Sequence, residues 1–198
     1  MARSTNTSGR STDAPRDAIA LLKQDHRTVS QLFEEFEKAD DEEQSAIVQR
    51  VCQLLTVHAQ IEEEILYPEA KEAFGGEEES EDLVNEAEVE HGSAKELIAK
   101  IEAMSSDDEH FKATVTVLGE YIKHHVKEEE GELFPQLKKT DLDLKEIGSR
   151  LADRKFALMD QLGIEDQEPA QPRKRAAASR GGSRSKSSRA RSGSRARH

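Results

Sequence analysis

The chain reads as an all-α protein, an up-down-up-down four-helix bundle with an extra C-terminal helix and a disordered basic tail. Three observations carry that expectation. Four segments of roughly 25 residues repeat apolar side chains at steps of three and four, the spacing of one helical face. Each is bounded by turn-forming Pro, Gly, Ser or Asp. No region alternates apolar and polar residues as a half-buried strand would, and no hairpin turn is visible. Helices of about 37 Å, at 1.5 Å per residue, joined by short links pack as antiparallel neighbours.

The first helix is expected to start at Thr12-Asp13-Ala14-Pro15, where a capping side chain precedes a proline suited to a first helical turn. Its stripe is Ile19, Leu22, His26, Val29, Phe33 and Phe36, ending near Asp40. The second starts around residues 41–43 with the stripe Ile47, Val51, Leu54, His58, Ile61 with Glu62, and Ile65. Pro68 should kink or end it, and Gly75-Gly76 closes the segment. The third, over about 80–104, aligns Leu83, Ala87, His91, Ala94, Ile98 and Ile101, and Ser105-Ser106-Asp107 makes the next turn. The fourth carries Phe111, Val115, Leu118, Ile122, His125 and Glu129 until Pro135 stops it. A fifth segment over 142–162 has a weaker stripe of Leu144, Ile147, Leu151 and Leu158 and should pack along the bundle.

The 198 residues suit one domain with tails: a flexible arm over 1–12, the bundle over 13–163, and an Arg/Ser/Ala-rich tail over 164–198. Hydrophobic residues make up only 34% and charged residues 35%, which fits a folded unit diluted by polar ends. The net charge of −12 hides two regions. Residues 173–198 hold ten Lys and Arg and no acid, leaving 19 bases against 41 acids, or −22, for the rest. The single cysteine, Cys52, excludes an internal disulfide framework and a Cys-based zinc site, and reads as a packed side chain. No signal-like apolar run or membrane-length segment is visible, so the expected setting is cytoplasmic with no membrane span.

The apolar stripes are interrupted in a pattern. Each of the four helices turns one histidine inward: His26, His58, His91 and His125. The second and fourth add Glu62 and Glu129 four residues later, one turn along the same face. Both His-x-x-x-Glu motifs are followed by a proline ten residues after the histidine, Pro68 and Pro135. His26 and His58 lie 32 residues apart, His91 and His125 34, so the chain reads as two helical hairpins around a pseudo-twofold site. His124 also has a glutamate four residues on, Glu128, and His125 is preferred on periodicity and its distance to Pro135. A lone histidine on an apolar stripe is ordinarily a hydrogen-bonded core residue. Two carboxylates among the stripes are another matter, because a buried acid without a partner is strongly unfavourable and a cation supplies the partner.

Four imidazoles and two carboxylates without thiolate suit iron or manganese, with zinc also compatible. Six donors are too many for one tetrahedral zinc and natural for two metals sharing carboxylates. Such a pair leaves positions for solvent or a small ligand, which iron would put to use with O₂, peroxide or NO. Whether Glu63, Glu88 or Glu128 also reaches the metals is open at this point.

At these residues the sequence resembles the hemerythrin-like HHE cation-binding family. The resemblance covers about residues 14–135, with an extension to 162. It is carried by His58-Ala-Gln-Ile-Glu-Glu-Glu-Ile-Leu-Tyr-Pro68 and by His124-His-Val-Lys-Glu-Glu-Glu-Gly-Glu-Leu-Phe-Pro135, with Asp25-His26 and Glu90-His91 completing the pattern. It implies a four-helix bundle around two non-heme iron ions, bridged by carboxylates and an oxo or hydroxo group. His26, His58, His91 and His125 would be terminal ligands, and Glu62 and Glu129 the bridges. Oxygen-carrying members place two histidines a turn apart on the third helix, whereas His91 has Ala87 before it and Lys95 after it. Glu88, three before His91, forms one Glu-x-x-His pair of the ferritin-like kind, where ferritin-like sites have two.

The resulting expectation is a hemerythrin-like di-iron protein that binds or reacts with O₂, peroxide or NO in oxidative or nitrosative stress or sensing. A catalytic version would be catalase-like breakdown of peroxide. The alternative is a nucleic-acid-associated interaction protein, contacting phosphates through its basic tail, whose metal centre is structural or iron-sensing.

Overall fold

The computed structural model of this protein describes residues 17–164. The expected arm over 1–12, the helix start at Thr12 to Pro15 and the expected tail over 164–198 lie outside them, except Ile164, which is buried in the core. Helix α1 (Ala18–Phe36) opens on Asp17, whose carboxylate accepts the Ala20 N–H at 2.8 Å, so its cap lies beyond the start expected from Thr12 to Pro15. Asp40 caps α2 (Asp41–Ile61) by accepting from the Glu42 and Glu43 N–H groups. Asp41, Glu42 and Glu43 place negative charge in the first turn, where the helix dipole favours it.

Pro68 and Pro135 do not end their helices. After α2 the backbone opens into a π-turn at Glu62–Leu66, closed by the Tyr67 N–H on the Glu62 carbonyl, and continues as α3 (Tyr67–Phe74). Pro68 falls in the first turn of α3, where its missing N–H is tolerated because the widened turn has already interrupted the four-residue ladder. Gly75 then ends the segment in the left-handed region at φ 62°. Helices α4 (Glu78–Glu102) and α5 (Phe111–Glu128) lie close to their expected bounds. A second π-turn, Glu129–Leu133, repeats the first: the Phe134 N–H closes on the Glu129 carbonyl, and α6 (Phe134–Leu137) carries Pro135 in its first turn. Helix α7 (Leu144–Gln161) is capped by Asp143.

Helices α1, α2, α4 and α5 contact one another in a ring, each beside its sequence neighbour, with α1 closing on α5. The fold is thus the four-helix bundle expected, and α7 is the extra helix, lying along α1, α2 and the first π-turn. Gly148 on α7 sits where a Cβ would come within 2.6 Å of the Ala18 backbone nitrogen, so α7 docks on the N-terminal end of α1 by direct backbone approach. Among the described residues no helix is long and apolar enough to cross a membrane.

The core consists of two apolar groups. One gathers Leu22, Ile61, Leu66, Leu133, Leu137 and Leu151 near the π-turns and α7. The other gathers Val29, Val51, Leu55, Ile98, Leu118 and Ile122 in the opposite half of the helices. Some stripes are one residue out of phase with expectation: Val48 and Leu55 are buried where Ile47 and Leu54 are half-buried, and Val84 replaces Leu83. Cys52 is buried as expected, and burial followed by the charge of Glu102 pushes its thiol up to about 11.

Candidate metal centre

The polar residues predicted from the stripes converge. His26, His58, His91 and His125 are all at most 6% exposed, Glu62 is fully buried and Glu129 is 2% exposed. Their positions follow from the helices: one imidazole comes from each bundle helix, and each glutamate is the first residue of a π-turn. Those widened turns sit where a carboxylate must be aimed inward, a frequent use of π geometry.

Two groups of donors share one carboxylate. His26, His58, Glu62 and Glu129 offer atoms within 4.8 Å of one another, and so do Glu62, His91 and His125. The Nε2 atoms of His26 and His58 are 3.1 Å apart, and those of His91 and His125 3.3 Å. Glu62 Oε2 lies 3.2 Å from His58 Nε2 and 3.5 Å from His91 Nε2, spanning the two pairs. Glu129 Oε2 lies 3.2 Å from His26 Nε2 and 3.9 Å from His125 Nε2, spanning them from the other side.

The outer ring nitrogens have their own pattern. Nδ1 of His26 faces Glu130 at 2.9 Å, Nδ1 of His91 faces Glu63 at 3.1 Å, and Nδ1 of His125 faces Glu90 at 2.8 Å. Nδ1 of His58 faces Asp25 at 3.6 Å, just beyond hydrogen-bond length. A carboxylate accepting from Nδ1–H fixes the tautomer in which the Nε2 lone pair points at the centre. The pseudo-twofold extends to this layer. The acid before the first histidine of each hairpin, Asp25 or Glu90, serves the second histidine of the same hairpin. The acid after each central glutamate, Glu63 or Glu130, serves the first histidine of the other hairpin. These four acids went unassigned at the sequence level, and their one visible signal is adjacency to a ligand-type residue.

Glu63 therefore turns away from the centre, while Glu88 pairs with Lys71 at 2.9 Å on the surface and Glu128 pairs with His124 at 3.2 Å. The side chain of His124 is 57% exposed against 4% for His125, in line with the preference for His125. Tyr67 and Phe134 occupy equivalent places, each just before its proline. Phe134 stacks parallel to His26, whereas Tyr67 stacks near His91 and brings its hydroxyl 3.4 Å from both His91 Nε2 and Glu129 Oε1. The two halves of the centre thus differ by one buried hydroxyl.

Without a cation this arrangement is electrostatically unsatisfied. Both carboxylate oxygens of Glu62 and Oε2 of Glu129 are buried with no hydrogen-bond partner. Burial, then the charge of Glu129, pushes the Glu62 carboxyl well above the usual carboxylate range. Burial also works against ionisation of Glu129, but the close approach of His26 and the charges of His125 and His58 outweigh it and hold that carboxyl low. Burial and the neighbouring His125 and His58 push His91 down to about 3, which keeps a neutral, ligand-ready imidazole. Two divalent cations among the histidines would satisfy the orphaned oxygens of Glu62 and Glu129, so these residues fit a two-metal site.

On the side away from the π-turns the four imidazoles border a small cavity of about 20 Å³, room for a molecule little larger than water. Its other walls are mainly aliphatic, including Val29, Leu55, Ile98 and Ile122, with Asp25 and Lys95 also in the lining.

Comparison with known proteins agrees with this geometry. The family described as hemerythrin HHE cation binding domain matches residues 17–137. A hemerythrin HHE cation binding domain-containing protein from Mycobacterium kansasii has a similar crystal structure, with a TM-score of 0.62 at 23% identity over 73% of this chain and 88% of that one. A DNA nickase from a Nostoc species is 31% identical over 119 residues, 60% of this chain but 32% of that protein. The chain spans about a third of that relative's length.

Proposed function

Since this chain belongs to the hemerythrin HHE cation-binding family, and is a metal-binding protein of that kind, we propose that its centre holds two iron ions and engages a small oxidant or diatomic ligand: O₂, peroxide or NO. The observation that carries the reading is the placement of Glu62 and Glu129 between two histidine pairs, with orphaned buried oxygens, beside a cavity sized for such a ligand. His26 and His58 would hold one ion, His91 and His125 the other, and the two glutamates would bridge them. Iron there would supply open coordination positions and a change of oxidation state.

The chain's own residues do the rest. Glu130, Glu63 and Glu90 keep the His26, His91 and His125 imidazoles oriented and tautomerically fixed, and Asp25 stands beside the fourth. The aliphatic cavity wall limits water and admits only small ligands. Burial, followed by the charges of Glu62 and Glu129, raises the Tyr67 phenol well above its usual range, so it remains a protonated donor toward Glu129. Nothing in this arrangement supplies a protein nucleophile, so a catalytic version would be peroxide breakdown and a binding version would be sensing or storage of O₂ or NO.

Metal analysis and the visible spectrum of aerobically purified protein test the reading. About two irons per chain with ligand-dependent visible absorption support it, and folded protein that takes up no metal overturns it. Oxygen evolution from added peroxide, abolished in His58→Ala, selects the catalytic version.

A second reading is favoured by one relative's printed name and by the ten bases over 173–198: association with nucleic acid, with the metal centre structural or iron-sensing. Retention on DNA at low salt that vanishes when 173–198 is removed supports this role, and unchanged retention removes it.

A further inference from the structure

We propose that His124, Glu128 and Glu90 form a surface cation site that receives a divalent transition-metal ion and passes it inward to the His125 and Glu129 end of the centre. This rests on the reading that the centre holds metal, and adds how the metal arrives.

The first support is a break in the outer ring of acids. Three of the four Nδ1 carboxylates are covered by a lysine: Glu130 by Lys23 at 2.8 Å, Glu63 by Lys95 at 2.5 Å, and Asp25 by Lys155. A lysine there neutralises the acid and repels an approaching cation. Among the described residues no lysine pairs with Glu90. Its Oε1 faces His124 Nε2 at 3.8 Å, while its Oε2 accepts from His125. The one quasi-equivalent position without a lysine is the one where a metal-ligating side chain stands instead.

The second support is donor geometry. Glu90, His124 and Glu128 offer three ligand atoms within 4.8 Å of one another, contributed by α4 and α5. One imidazole with two carboxylates suits a first-row divalent ion better than magnesium or calcium, which favour all-oxygen shells. His124 and Glu128 are accessible, at 57% and 36% side-chain exposure, while Glu90 is 14% exposed, so the site faces both solvent and interior.

The third support is a passage. A small cavity between α4 and α5 is lined on its outer side by Glu86, Glu90 and Glu128 and on its inner side by His125 and Glu129. Glu129 Oε2, on a side chain 1% exposed, has no hydrogen-bond partner. Leu83, Ala87 and Leu133 complete the lining, so a cation leaving His124 would pass from Glu90 and Glu128 to His125 and Glu129 along an apolar wall.

The test uses the full chain freed of metal, with Mn²⁺ as the probe. Wild type is compared with the double variant His124→Ala/Glu128→Gln on α5 and with Glu88→Gln, a control on α4 outside the passage. Immediately after mixing with substoichiometric Mn²⁺, paramagnetic broadening should appear at the His124 ring first, in wild type and in Glu88→Gln, and reach the centre afterwards. The double variant should fill the centre at least tenfold more slowly, to the same final two ions, with circular dichroism confirming its fold. Equal filling rates, or no broadening at His124 in wild type, overturn the proposal. A centre that fills in neither protein overturns the two-metal reading and the route with it, whereas slow filling confined to the double variant supports both.

Discussion

Glu62 is the residue whose chemistry is most at odds with its surroundings when no cation is present. A carboxyl with a raised folded-state pKa adds stability below its unfolded value of about 4.3 and loses it as the pH rises through the folded value. Metal-free wild type should therefore lose stability from about pH 4.3 upward relative to Glu62→Gln, which carries no titrating group there. Denaturant titrations across pH will show the two curves diverging; parallel curves would mean that Glu62 ionises freely in the apo bundle. With metal the order reverses, because Gln offers one neutral oxygen in place of a shared anion. The supporting acids act through the imidazoles. Glu63→Gln should weaken metal binding by about 10–100-fold, the usual penalty for losing an outer partner, while Glu88→Gln leaves it unchanged. Competition with a chromophoric chelator measures both. The inward set of six was legible because each member falls in phase with an apolar stripe. Asp25, Glu90 and Glu130 were not assigned roles and Glu63 was left open, because each serves an imidazole on a different helix and no spacing within one helix encodes that.

The helices themselves were largely legible, since periodicity depends on burial and the bundle buries one face of each. Their interruptions were misread for a physical reason. A proline argues for a stop only while the four-residue ladder runs unbroken up to it, and here a widened turn intervenes in both cases. Nothing in composition marks such a turn, so Pro68 looked like a kink or an end and Pro135 like an end. Helix α7 was expected to pack along the bundle, but its ion pairs became visible only in three dimensions. Arg154 binds Glu64 at 2.6 Å, Arg150 binds Glu69 at 2.6 Å, and Lys155 reaches Asp25 beside His58. Its tight docking at Gly148 gives a sharp test. Gly148→Ala forces a Cβ into the Asp17 and Ala18 backbone and should cost about 1–3 kcal/mol, the range for overpacking, in chemical denaturation. Unchanged stability would show that α7 slides to make room.

Across the whole molecule, the polar centre separates two apolar groups that each span several helices. Hydrophobic burial alone holds each group together, but the layer between them contributes unsatisfied carboxylates until cations arrive. Metal should therefore act as a structural tie across the bundle. A ligand present at 100 times its dissociation constant adds about 2.7 kcal/mol. For a domain of this size that raises the melting temperature by roughly 5–10 °C. Calorimetry before and after chelation and reloading will show it, and an unshifted transition would mean that the two groups cohere without the ions.

The π-turns also determine which sequence changes this protein can inherit. Their outer positions, Glu64, Gly131 and Glu132, are exposed, and a Cβ at Gly131 meets nothing within 4 Å. Gly131→Ala should thus be neutral or raise stability by about 0.4–1 kcal/mol. Deleting Gly131 instead removes the extra residue that widens the turn, so an unbroken four-residue ladder would run up to Pro135. It would set Pro135 against that ladder and remove the turn on which Glu129 is held, so stability and metal binding should both fall. A surface segment ordinarily accepts length changes; here Gly131 and Glu132 tolerate substitution and length is forbidden. A library of single insertions and deletions should trace both turns as two narrow gaps in an otherwise permissive surface.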